Sequence, residues 1–129
     1  MKRIDMFIHF AEIAAKNNIT VKFSTADPSQ AYWANREHRM ISTRPIKNTG
    51  YYVSGLHEIG HIVGECQTSK YSLLKQEWYA WKYAMQTAEI WTATTHKIMK
   101  RAMKTYIAVA KPKHISRMPD CYRTIFGES

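Results

Sequence analysis

The sequence predicts an α+β fold: one N-terminal helix, a small antiparallel sheet of about three strands, and then a succession of helices. Three observations predict it. Apolar residues recur at helical spacing before residue 18 and again after residue 53. Between those stretches, β-branched residues alternate with polar ones, and turn-forming residues separate the two patterns.

The elements follow in order. Ile4, Phe7, Ile8, Ala11, Ala14 and Ala15 recur as on one helix, with Asn17 and Asn18 as the stop. Residues 19–24 alternate and read as a strand, and Asp27, Pro28 and Ser29 as a turn. Residues 31–34 and 39–43 make two further strands, joined through Asn35, Arg36 and Glu37. Helices are expected from Val53 to about Cys66 and from about Ser72 to Ala88. A third should run from about Glu89 to Ala110, unless it fuses with the second into one kinked helix. Pro112 should end the helical stretch, and residues 121–126 should form a short closing helix. The chain is thus expected to form a single domain over residues 1–129, with a core at about 1–88 and a helical extension at about 89–129.

With 129 residues, 45% hydrophobic and 12% aromatic, the chain can build a core, which argues against general disorder. Its 19 Lys and Arg against 10 Asp and Glu leave a net charge of +9, which favours anionic partners without naming one. Cys66 and Cys121 form neither a disulfide framework nor a CxxC pair. Asp5, His9 and Glu12 interrupt any signal-like apolar stretch. Free thiols without an export signal point to the cytoplasm, and no apolar run is long enough for a membrane span.

Chemistry concentrates in His57-Glu58-Ile59-Gly60-His61. Residues four apart on a helix share one face about 6 Å apart along the axis, so both imidazoles can address one metal ion. Glu58, about 100° around the helix, is placed to take a proton from water without being a ligand. The motif gains weight from its surroundings, because apolar residues at 53, 56, 59, 62 and 63 bury the helix. A catalytic zinc site needs a third protein ligand, and Glu77 is the best candidate. It stands on a stripe formed with Leu73, Leu74, Trp81, Ala84, Met85 and Ala88. A buried carboxylate there requires a cationic or metal partner. The alternative is a solvated Glu77 at the edge of the stripe, paired with Lys70 or Lys75. Glu65, Cys66 and Glu89 do not fit the geometry. His9, His38, His96 and His114 read as ordinary histidines, with His96 or His114 as proton donors only if the last helix folds over the site.

The run Leu56-His57-Glu58-Ile59-Gly60-His61, followed by Glu77-Trp78-Tyr79-Ala80-Trp81-Lys82-Tyr83-Ala84, resembles the ImmA/IrrE-type metallopeptidases, especially the small stand-alone forms of phage and mobile-element genomes. In that group a helix and a short sheet precede the HExxH helix, and the next helix supplies Glu followed by Ala at three residues. The resemblance spans residues 1–88, and its specific part is 53–84. It implies a minimal gluzincin holding one zinc ion through His57, His61 and Glu77, with Glu58 as general base. For a phage-encoded form it implies the host cytoplasm. The chain departs from better-known members in having no separate helix-turn-helix, so repressor cleavage is not implied.

Lys97, Lys100, Arg101 and Lys104 share one face of the third helix, opposite Trp91, Ile98, Ala102, Tyr106 and Val109. This basic face is either a solvated surface or a docking site for nucleic acid or an acidic protein. The expected function is zinc-dependent hydrolysis of a protein or peptide substrate. The alternative is a zinc-stabilised, non-proteolytic module that binds through the basic helix.

Overall fold

The computed structural model of the chain describes residues 1–127. The last two positions of the expected domain lie outside the described residues. Helix α1 (Arg3–Lys16) leads to strand β1 (Thr20–Phe23), a single helical turn α2 (Pro28–Ala31), and strands β2 (Trp33–Asn35) and β3 (Met40–Thr43). Helices α3 (Thr49–Val63), α4 (Leu73–Thr87), α5 (Ala93–Val109), α6 (Pro112–Ser116) and α7 (Asp120–Phe126) complete the α+β fold.

Helix α1 buries Met6, Phe10 and Ala14, spaced at i, i+4 and i+8. The expected face is largely outside: Ile4 is 58% exposed, and Phe7 and Ile8 are also exposed. Both stripes are apolar, and the partner decides between them. A Cβ on Gly55 of α3 would come within 2.7 Å of the Phe10 ring, so only a glycine admits Phe10 this closely.

The sheet has three strands in the order β1-β3-β2, and it is mixed where an all-antiparallel sheet was expected. β2 pairs antiparallel with β3, with Asn35 opposite Met40, whereas β1 pairs parallel with β3, with Thr20 opposite Met40. The reason lies in the connection. Asp27 accepts the Ser29 N–H at 3.1 Å and caps α2, so the expected turn becomes a helical crossover rather than a hairpin. β3 takes the centre because Ile41, Ser42 and Thr43 are all buried, while the flanking strands are mostly exposed.

Helix α3 begins four residues before the expected start because the Asn48 side chain accepts the Tyr51 N–H at 2.9 Å. Ser72 caps α4 in the same way through the Lys75 N–H at 3.2 Å. α4 and α5 do not fuse, since Thr92 and Thr95 form a reciprocal capping box that starts α5 afresh. Pro112, expected as a terminator, instead opens α6 at its first turn, where its missing N–H costs nothing.

The core runs continuously from Met6, Phe10 and Ile41 through Leu56, Ile59 and Trp78 to Met99, Met103 and Tyr122. Residues after 88 thus belong to the same core; Tyr122 and Phe126 meet the Trp78 ring edge-on at 5.8 and 6.1 Å between centroids. On α5 the buried residues are Thr95, Met99 and Met103, whereas Val109, expected on the inner face, is 79% exposed. Among the described residues, no helix is long and apolar enough to cross a membrane.

Candidate metal centre

Helices α3 and α4 run antiparallel, so His57 lies beside Trp81 and His61 beside Glu77. Their close approach depends on Gly60, where a Cβ would fall 2.5 Å from the Ala80 carbonyl oxygen. Glu77 is buried, as its position on the apolar stripe requires, although Leu73 of the same expected stripe is 67% exposed. Lys70 and Lys75 do not pair with Glu77. They flank the Tyr71 ring at 5.7 and 5.8 Å.

One carboxylate meets both imidazoles. His57 Nε2 lies 3.0 Å from Glu77 Oε1, and His61 Nε2 lies 2.6 Å from Glu77 Oε2. Each of the three side chains offers one ligand atom, and these atoms lie within 4.8 Å of one another, so the group could hold a metal ion. Once deprotonated, the two imidazole nitrogens with one carboxylate make a donor set that suits a borderline cation such as zinc. Zinc with bonds of about 2.0–2.1 Å holds tetrahedral donors roughly 3.3 Å apart. The His57 and His61 contacts to the carboxylate would lengthen by about 0.3 and 0.7 Å to reach that spacing. The three residues could hold a metal ion.

The surrounding side chains hold these three residues in place. The His57 ring stacks on Trp81, with centroids 4.2 Å apart and planes 16° from parallel, and meets the His61 ring edge-on at 4.6 Å. Glu58 is buried and its Oε2 lies 3.2 Å from His57 Nδ1, the ring nitrogen not engaged by Glu77. His61 Nδ1 lies 3.0 Å from Gln67 Oε1.

Charge follows this geometry. Burial works against a protonated His57, but the neighbouring Glu58 and Glu77 carboxylates outweigh it and raise its pKa to about 9. Burial likewise opposes an ionised Glu77, yet hydrogen bonds from His57 and His61 hold its carboxyl down at about 2.

The cluster opens on a cleft of about 740 Å³, also lined by Glu58, Tyr32, Ala34, Arg36, Gln67, Ala102 and Tyr106. Ala34 comes from the edge strand β2, and Ala102 and Tyr106 from α5. Burial raises the Tyr106 phenol above its ordinary range, and the charges of Glu77 and Glu58 add to this. The last long helix does fold over the site, but it presents Tyr106 rather than His96, whose Nδ1 accepts the Trp91 indole N–H at 3.1 Å. His114 lines a separate basic pocket with Lys70, Lys75 and Arg117. His9 meets Tyr52 Oη at 2.6 Å, His38 is exposed, and Glu65 approaches Lys82 at 4.0 Å.

Lys97, Arg101 and Lys104 are exposed on α5 and Lys100 is half-buried. Lys104 lies about 200° around the helix from Ala102, so this basic face looks away from the cleft. Gln67 and Tyr106 were not legible as site residues. Gln67 sits in a polar loop with no periodic signal, and Tyr106 reads as one more apolar-face aromatic. Searches with this chain against protein-family models, curated proteins and solved structures find no match.

Proposed function

We propose that this chain is a zinc-dependent metallopeptidase of the gluzincin kind that its HExxH and Glu77 segments resemble. The observation that carries the reading is the convergence of His57, His61 and Glu77 at the floor of an open cleft that buried Glu58 also lines. A purely structural zinc site closes with four side chains, whereas three ligands leave a position for water and substrate.

His57, His61 and Glu77 would hold the ion. When bound, zinc acidifies water and polarises a carbonyl, so that hydrolysis proceeds near neutral pH. Glu58 takes the proton of the attacking water and passes it to the leaving amine. Its Oε2 is engaged by His57, which leaves Oε1 for that transfer. The cleft lies between the β2 edge and the α5 wall. The site of action on this reading is the cytoplasm.

Metal analysis of protein purified without added zinc should find one zinc per chain. Glu58→Gln should keep that zinc and lose turnover by a factor of about 10² to 10⁴, read by comparing cellular proteins in the presence of either form. His57→Ala should lose both zinc and turnover. A metal-free wild type, or full turnover in Glu58→Gln, refutes the reading.

The basic face of α5 supports a second reading, a non-proteolytic module that grips nucleic acid or an acidic protein. Its support is that Lys97, Arg101 and Lys104 are exposed and, among the described residues, lie in no ion pair. Binding to duplex nucleic acid that weakens steeply with salt and is lost when these residues are replaced by Ala would favour it. No binding at low salt removes nucleic acid as the partner.

A further inference from the structure

The loop between α3 and α4 sends one buried side chain back into the metal centre. Gln67 is nearly inaccessible, and three hydrogen bonds account for its amide. Its Nε2 donates to the Glu65 carbonyl at 2.9 Å and to the Gln76 carbonyl at 2.7 Å. Both partners can only accept, so the amide nitrogen must face them and the amide oxygen must face His61. That oxygen lies 3.0 Å from His61 Nδ1, and an amide oxygen can only accept. His61 Nδ1 is therefore the donor, which leaves Nε2, the nitrogen facing Glu77, for a metal ion.

We propose that Gln67 is the positioning residue of this metal centre: it holds His61 with its proton on Nδ1 and ties that ring to the backbone of α4 beside Glu77. The second half follows from sequence adjacency, since the Gln76 carbonyl belongs to the residue preceding Glu77. One amide thus couples a ligand on α3 to the helix that carries the third ligand. The proposal rests on the metal reading above.

The test combines zinc affinity, by competition with a chelator, with long-range proton–nitrogen NMR of the histidine rings. In zinc-loaded wild type, His61 should carry its proton on Nδ1. Gln67→Met has similar length but neither accepts nor donates an amide hydrogen bond; it should lose 10- to 100-fold in zinc affinity while keeping the wild-type circular dichroism. Gln67→Glu retains an acceptor for Nδ1 but cannot donate to the two carbonyls. It should bind zinc more tightly than Gln67→Met, whereas a clamp with a merely structural role would make it equal or worse.

Zinc affinity of Gln67→Met within threefold of wild type overturns the proposal, as does Gln67→Glu no better than Gln67→Met. So does a zinc-loaded wild type with the His61 proton on Nε2, a measurement that decides the matter even if Gln67→Met fails to fold. A wild type that takes up no zinc refutes the metal reading separately. The Gln67 assignment is then judged on whether metal-free His61 carries a proton on Nδ1 that responds to Gln67→Glu.

Discussion

Adding a single methyl group at Gly60 measures how closely the two ligand-bearing helices must approach. A Cβ there would lie 2.5 Å from the Ala80 oxygen and 3.0 Å from its Cα, against an ordinary contact beginning near 3.4 Å. Both atoms are backbone, so no side chain can swing aside, and α3 and α4 must part by about 0.9 Å, the difference between 3.4 and 2.5 Å. Such overpacking costs about 1–3 kcal/mol, and replacing a helical glycine with alanine offsets about 1 kcal/mol of it. The net loss is at most about 2 kcal/mol, a fall in Tm of up to roughly 8 °C for a domain of this size. The effect on the metal centre is larger. Ligand distances tolerate about 0.2 Å, so a helix displaced by several times that carries Glu77 out of register and should cost at least tenfold in zinc affinity. Gly50→Ala is the control, because its Cβ would meet only side-chain ends, Ile98 Cδ1 at 3.1 Å and Asn48 Oδ1 at 3.3 Å. It should leave zinc affinity at the wild-type level and Tm unchanged or a few degrees higher. Thermal melts and chelator competition on both variants decide the matter. A Gly60→Ala protein with undiminished Tm and zinc affinity within threefold of wild type would falsify the close-approach argument.

Stability of the metal-free protein should peak at mildly acidic pH, as read from urea midpoints. His57 is raised from 6.5 to about 9, so its contribution is complete below 6.5 and is lost as pH climbs through 9. Glu77 is lowered from 4.5 to about 2, so its contribution is present above 4.5 and is lost as pH falls towards 2. The joint maximum lies between about 4.5 and 6.5, and a midpoint rising steadily up to pH 9 would contradict it. Zinc must displace the His57 proton, so chelator-measured affinity should rise about tenfold per pH unit between 7 and 9 and then flatten; a flat profile below pH 9 would count against a protonated His57. Away from the metal, the Tyr52 hydroxyl is hydrogen-bonded to His9 Nδ1 at 2.6 Å and accepts the Glu89 N–H at 3.0 Å, joining α1, α3 and the α4–α5 connection. Tyr52→Phe strands that backbone donor and should cost about 1–2 kcal/mol in urea unfolding, with zinc affinity unchanged. No loss of stability would show that water replaces the hydroxyl.

Local patterns carried the α+β class, the presence of each long helix and the candidate ligand set. Those are properties of neighbours along the chain. Four-residue spacing aligns His57 with His61 whatever the rest of the molecule does, and a carboxylate on an apolar stripe marks Glu77 as needing a partner. Burial, pairing and coupling between elements are properties of what packs against what. Two apolar faces of α1 competed, and the one that fits Gly55 was buried. The strand nearest in sequence was not the one that β1 paired with, because a capped helical turn intervenes. Gln67 and Tyr106 reach the cleft from a polar loop and a distant helix, and no periodicity records such a meeting. The sequence by itself thus determined which side chains could bind a metal. Only the tertiary structure decided their spacing, through a glycine that lets two helices touch, and which amide turns a histidine towards the site.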